Sequence, residues 1–184
     1  ILISLFDKNG TIVNTFTNQN KDSIQKQDYN MELSEFTSNN TAKVTSKKGY
    51  NRFRWNLRHK GIKGKDKEEN INGPLVKPGK YKVQILVDNK YKIEDEILIL
   101  KDPNTIIIES DFEKAEELQL KIINKIREAK SIADEIQTSI SNKKFRKSKY
   151  APLKQKLDML VTKEGTYMQP MLIDQMKYLY GMIS

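Results

Sequence analysis

The spacing of apolar residues changes once along the chain, and this change constrains the fold more than any other feature. Up to about residue 102, apolar and polar residues alternate, which is the period of a half-buried β-strand. From residue 110 onward the apolar residues recur every three or four positions, which is the period of an amphipathic α-helix. The sequence therefore predicts a β domain over residues 1–102 and a helical domain over residues 109–184.

Two segments of the first part have the pattern of β-hairpins. Residues 1–16 place Asn9-Gly10 between two runs rich in β-branched residues, and both turn residues tolerate a positive φ. Residues 81–87 and 91–100 are two further alternating runs that are joined by a polar turn. Each pair is predicted to form antiparallel neighbours.

A third alternating segment covers residues 49–58. Phe53, Trp55 and Leu57 are predicted to share its buried face, and the intervening arginines its outer face. Trp55 is therefore predicted to be a core residue and not a sugar-stacking platform. Several short strands with one apolar face predict an antiparallel β-sandwich.

Three helices are predicted in the second part. The first runs from residue 111 to about 142 and starts at a capping box, with Ser110 at the N-cap and Glu113 at N3. Its apolar stripe comprises Ala115, Leu118, Ile122, Ile126, Ala129, Ala133, Ile136 and Ile140. The other two helices fit residues 150–164 and 170–183. Short connections predict an all-α helical hairpin or three-helix bundle.

The residue counts exclude several kinds of chemistry. With one His and no Cys, the chain contains no disulfide framework, no thiol nucleophile, no cysteine zinc site and no two-histidine metal site. The single His59 has no acidic neighbour in sequence, so we predict an exposed or turn-capping residue and not a general base. Glu94 and Glu96 share a strand face and could contribute to a Ca²⁺ site, but a charged edge strand is favoured. We therefore expect no catalytic, cofactor-binding or metal-ligating residues.

The charge balance permits an anionic partner. Lys and Arg total 33 and Asp and Glu total 24, which gives a net charge of +9. The predicted interaction surface comprises two basic clusters, whose members are Arg52, Arg54, Arg58, Lys143, Lys144, Arg146 and Lys147. No nucleic-acid motif accompanies them, so the residues disfavour nucleic acid, and solvated faces and loops are the favoured explanation of the charge. No stretch approaches the roughly 20 apolar residues of a transmembrane segment.

Three blocks of sequence, taken in order, resemble the C-terminal region of bacterial exported proteins with sortilin-type BNR-repeat β-propellers, often named glycosyl hydrolases. The blocks are the opening hairpin with its Asp-Lys-Asn-Gly turn, the Gly-Tyr-Asn-Arg-Phe-Arg-Trp-Asn-Leu-Arg strand at 49–58, and the Gly-Pro-Leu-Val-Lys-Pro-Gly-Lys-Tyr-Lys-Val segment at 73–83. A Leu-Tyr-Gly-Met run at 179–182 also matches the family's helical segment. The chain departs from the family at Asn56, where Asp is usual.

The resemblance implies that the β-sandwich over residues 1–102 is Ig-like. It also implies a non-catalytic structural and protein-interaction role in the bacterial cell envelope (periplasm or outer-membrane surface) or outside the cell. The implied partner is the protein's own N-terminal propeller or an envelope protein complex, and any glycosidase-like activity would lie in the propeller. The opening residues 1–6 have the pattern of a strand interior and no initiator Met, so we expect the chain to begin partway through a larger protein. Two alternatives stay open: a carbohydrate-binding accessory module, and a cationic binder of nucleic acid or anionic polymer.

Overall fold

The computed structural model describes residues 1–18, 44–63, 70–141, 147–161 and 170–184. These residues form four strands and three helices: β1 (Leu2–Phe6), β2 (Ile12–Thr17), β3 (Gly79–Val87), β4 (Tyr91–Ile99), α1 (Glu109–Ser141), α2 (Lys147–Leu160) and α3 (Leu172–Ile183). The chain divides into two compact units, Ile1–Glu116 and Glu117–Ser184. The predicted order of an antiparallel sheet followed by helices is confirmed.

The four strands form one antiparallel sheet in the order β2-β1-β3-β4. The first predicted hairpin is β1–β2, where the Asp7 carboxylate accepts hydrogen bonds from the backbone N–H groups of Asn9 and Thr11 and Gly10 takes the positive φ of 80°. The second is β3–β4, where Asp88 and Asn89 both have positive φ and tighten the turn. Both hairpins are confirmed.

One face of the sheet carries the core of the first unit. The buried apolar residues are Ile3, Leu5, Val13, Phe16, Val44, Val76 and Tyr81. Val44 and Val76 come from the segments 44–63 and 70–78, which lie over this face and are here called the covering layer. Phe53 and Trp55 of the same layer pack against the core. The hydrophobic effect therefore holds the sheet and the covering layer together.

The covering layer has no regular strand in the part that the structure describes. Its two segments meet through isolated bridges, Arg58 with Leu75 and Ile62 with Ile71. The predicted regular strand at 49–58 is therefore wrong, although Phe53 and Trp55 do face the core. Leu57 has a φ of 56° and is 40% exposed, because the chain turns there and the alternation of faces ends.

The second unit has a small core to which all three helices contribute. Its members are Ala129, Ala133 and Ile173, with Leu157, Leu160 and Met176 packed against them. The predicted stripe is right for Ala129 and Ala133, which are buried, and wrong for Leu118, which is 51% exposed.

The helix termini differ from the predicted ones. Helix α1 begins at Glu109, so Ser110 lies inside the first turn and is not the N-cap. The Glu113 carboxylate, expected to complete a capping box, binds Lys77 instead. Helix α3 begins at Leu172. The helix count and order follow the sequence pattern, whereas the caps depend on contacts that the pattern does not contain.

Candidate functional site

Two glycines allow the covering layer to fold tightly around His59. A Cβ atom at Gly73 would lie 2.0 Å from the carbonyl oxygen of His59, and one at Gly61 would lie 2.2 Å from the carbonyl oxygen of Ile71. Real Cβ atoms do not approach backbone oxygens so closely. The backbone N–H of His59 also donates to the Pro74 carbonyl at 2.9 Å. The position of His59 is therefore fixed by its backbone.

Arg58, predicted to belong to an interaction surface, makes internal contacts. Its carbonyl oxygen accepts hydrogen bonds from Asn14 Nδ2 at 2.9 Å and from Trp55 Nε1 at 3.0 Å. Its guanidinium donates to the Gly73 carbonyl at 2.9 Å. The indole of Trp55 packs edge-on against the ring of Tyr81, with centroids 5.9 Å apart. Arg58 thus ties the covering layer to β2, and Trp55 is a core residue, as predicted.

His59 is paired with a carboxylate that lies 57 positions along the chain. Its Nε2 is 2.7 Å from Glu116 Oε1, and the two side chains are only 14% and 12% exposed. The same Oε1 accepts a hydrogen bond from the backbone N–H of Lys77 at 3.2 Å. The prediction that His59 is an exposed or turn-capping residue is therefore wrong, and its acidic partner is distant in sequence.

Lys77 extends this pair into a small charged cluster. Its Nζ is 2.7 Å from Glu113 Oε1 and 3.9 Å from Glu116 Oε2. The hydrogen bond to Glu113 raises the pKa of Lys77 and lowers the pKa of Glu113. The Tyr81 hydroxyl donates to the Lys77 carbonyl at 2.7 Å, and burial raises the pKa of Tyr81. We call His59, Lys77, Glu113 and Glu116 the histidine tie.

The histidine tie contains one part of a general-base arrangement, an imidazole paired with a carboxylate. A carboxylate that accepts from one imidazole nitrogen orients the ring, and catalysis then needs a substrate or nucleophile beside the other nitrogen. A cleft of about 430 Å³ lies in this unit, but residues of β3, β4 and the first turn line it, and neither His59 nor Glu116 is among them. By its contacts, the tie links the covering layer to the first turns of α1.

Glu94, in the middle of β4, is held by two lysines. The carboxylate of Glu94 lies 2.7 Å from Lys92 Nζ and 2.9 Å from Lys82 Nζ, and it accepts a hydrogen bond from Gln84. These contacts, that to Lys92 first, lower the pKa of Glu94 to about 2. Among the described residues no group of three acids or histidines is placed to hold a metal ion. β4 is an edge strand, as predicted.

β4 and the segment that follows it carry large apolar side chains in contact with solvent. In the described part of the chain, β4 pairs with β3 alone. The exposed residues along this strand and the segment after it are Tyr91, Ile93, Leu98, Leu100, Ile106, Ile107 and Ile108, and Ile106 is 96% exposed. We call this set the β4 strip. Side chains alternate along β4, so Leu98 and Leu100 lie on the face opposite to Tyr91 and Ile93. Because exposed apolar side chains mark contact surfaces, the β4 strip is a candidate docking surface that includes both faces of this strand.

The structure describes only some of the remaining residues of the predicted interaction surface. Arg52 and Arg54 are exposed on the covering layer. Lys143, Lys144 and Arg146 lie outside the described residues, and Lys147 is the first residue of α2. Their role in binding stays a prediction.

Comparison with protein-family models, with curated proteins and with solved structures yields no match. Within the described ranges, no helix combines the length and the apolar character that crossing a bilayer requires.

Proposed function

We propose that this chain is a non-catalytic structural and protein-interaction part of a larger exported β-propeller protein of the sortilin, BNR-repeat type. Its partner is the propeller of the same protein, and its location is the bacterial envelope or the exterior. The sheet with its covering layer is proposed to be a variant of the Ig-like sandwich in which the second layer is irregular. The observation that supports an interaction role is the β4 strip.

The charged side chains around Glu94 are paired within the sheet, and the apolar side chains of the β4 strip remain exposed. The lysines that pair with Glu94 belong to β3 and β4 themselves, so a partner need not neutralise that carboxylate. The Asp95 carboxylate accepts the hydrogen bond of the Glu96 backbone N–H at 2.8 Å. That contact occupies a donor near the middle of the edge strand. The proposed contact is therefore side-chain packing on Leu98, Leu100 and Ile106, and not the addition of a strand.

The proposed partner comes from the sequence resemblance. The two charged clusters of the described residues that could be considered for catalysis are both held by contacts within the first unit. The histidine tie is engaged within its own unit, and the Glu94 carboxylate is held by two lysines. Both groups have the contacts of structural residues. A docking role accounts for the exposed apolar side chains of the β4 strip, which the contacts within the first unit do not bury.

The test uses the full-length protein from its native source. Its intact mass is expected to exceed 21.4 kDa by at least one domain. A photo-crosslinking amino acid is then placed at Leu100 in that protein, and at Lys90 in the hairpin turn as the control. Crosslinks from position 100 to propeller peptides, with none from position 90, are expected. A native mass near 21.4 kDa, or the same crosslinks from both positions, would overturn the proposal.

A further inference from the structure

A second exposed feature of the first unit is unrelated to the β4 strip. Residues 45–54, here called the basic turn, contain four cations and no acidic residue. Tyr50, at its tip, is 90% exposed. The cations are Lys47, Lys48, Arg52 and Arg54, all of them exposed. None of the four forms a salt bridge with another described residue.

The conformation of the basic turn is set by one side chain. Asn51 Oδ1 accepts hydrogen bonds from Thr45 Oγ1 and from the Lys47 backbone N–H, each at 3.0 Å. Its Nδ2 donates to the carbonyls of Lys47 at 2.7 Å and Gly49 at 3.0 Å. Gly49 has a φ of 95°, which a residue with a side chain rarely adopts. Tyr50 is therefore displayed on a turn that is already organised before any partner binds.

A residue that follows the tip anchors the basic turn to the core. Phe53 packs on Phe16, with ring centroids 4.8 Å apart. Phe53 is less exposed than its neighbours Arg52 and Arg54, which both lie in solvent, as does Tyr50. One ring and four cations are thus exposed on a single short segment.

We propose that the basic turn binds an anionic polysaccharide, with a sugar ring packed on Tyr50 and its carboxylates paired with Arg52, Arg54 and the two lysines. Arg presents a planar fork that matches a carboxylate in two parallel hydrogen bonds. Surfaces that bind single-stranded nucleic acid present several aromatic rings for successive bases, whereas the basic turn presents one. The chemistry therefore favours a charged glycan. This proposal is independent of docking through the β4 strip.

The test measures binding of the 184-residue chain to polygalacturonate by isothermal titration calorimetry, at low and at physiological salt. Tyr50→Ala leaves the charge unchanged and is expected to weaken binding several-fold, since the sugar ring loses the apolar aromatic face on which it is proposed to pack. The matched control is Tyr91→Ala, another exposed tyrosine of the same unit, which is expected to leave binding unchanged.

Two further variants separate this site from general attraction by a basic protein. Arg52→Glu/Arg54→Glu is expected to abolish binding, whereas Lys90→Glu/Lys154→Glu, with the same change of charge, is expected to retain most of it. Asn51→Ala keeps the ring and all cations and is expected to weaken binding several-fold because the turn loosens. Circular dichroism verifies that each variant is folded.

Three outcomes would overturn the proposal: no binding at low salt, equal losses in the two charge-reversal variants, or tighter binding of an oligo(dT) than of polygalacturonate. The last would assign the basic turn to nucleic acid. None of these outcomes depends on the mass or the crosslinks of the full-length protein, so the two proposals fail separately.

Discussion

The β3–β4 hairpin and the covering layer lie in the same unit and are stabilised in different ways. The hairpin has nine consecutive register pairs, from Gly79 with Ile99 to Val87 with Tyr91. Its hydrogen bonds are mostly backbone to backbone, so many side chains can change without loss of the strands. The covering layer has two isolated bridges and a backbone hydrogen bond from Lys60 to Val13 of β2. Its other polar contacts include several from specific side chains to specific backbone atoms. Single substitutions should therefore be far more damaging in the covering layer.

The largest effect is expected for Gly73→Ala. The new Cβ would meet the His59 carbonyl oxygen at 2.0 Å, and neither backbone can move without separating the two segments. We expect a loss of more than about 3 kcal/mol in the free energy of unfolding, measured by urea denaturation. The control is Gly181→Ala in α3, where nothing lies within 4 Å and the better helix propensity of Ala should stabilise slightly. A similar stability for both variants would contradict this account of the covering layer.

Asn14→Ala should have the next largest effect. Asn14 is 1% exposed, donates to the Arg58 carbonyl and accepts from the Thr15 backbone N–H. Its loss removes the acceptor of the Thr15 N–H and leaves the Arg58 carbonyl with Trp55 as its side-chain donor, at a cost of about 2–3 kcal/mol. Asn9→Ala, in the exposed first turn, is the matched control and should change stability by less than about 0.5 kcal/mol. If both alanines cost the same, the link between β2 and the covering layer is not important.

Glu116→Ala tests the histidine tie. It removes the partner of His59 and an acceptor for Lys77, and we expect a loss of about 2 kcal/mol. Its neighbour Glu117 provides the control, because that carboxylate pairs only on the surface with Lys121 at 3.0 Å. Glu117→Ala should cost about 0.5 kcal/mol or less. Hydrogen exchange at residues 57–62 should accelerate in the Glu116 variant alone, and equal exchange in both would show that the tie does not stabilise this segment.

The sequence pattern predicted the elements whose contacts are local. Both hairpins and three helices follow from the apolar period and the turn residues, because neighbours in the chain are neighbours in space there. The irregular covering layer depends on contacts such as Gly73 with His59, which no period encodes. The exposed Leu57 shows the same limit, since one left-handed residue reversed the expected face.

Glu116 was missed for a different reason. The apolar spacing places Ala115 and Leu118 in the buried stripe of α1, but both residues are exposed. The less exposed positions near its start include Phe112, Glu116 and Leu120, with a carboxylate among apolar residues. An acidic residue at core spacing, in a chain whose one imidazole lacks a local partner, is a signal that could have suggested the pair.

The smallest expected effect is on the hairpin and concerns pH. The contacts to Lys92, Lys82 and Gln84 lower the pKa of Glu94 from 4.5 to about 2. Between these values the unfolded chain binds a proton that the folded chain does not, so the stabilisation by Glu94 is present above about pH 4.5 and is lost as the pH falls toward 2. Urea midpoints of the natural chain and of Glu94→Gln should therefore differ at about pH 6 and converge near pH 2.

Lys92→Met sharpens this last test, because it removes the contact that contributes most to the shift. In that background the pKa of Glu94 should lie nearer its ordinary value, and the effect of Glu94→Gln on the urea midpoint should vary less with pH. Glu94 is exposed to water, which screens its ion pairs, so even at neutral pH the effect should be small beside that of Asn14→Ala. A Glu94→Gln loss as large as that of Asn14→Ala would mean that the hairpin, like the covering layer, depends on particular side chains.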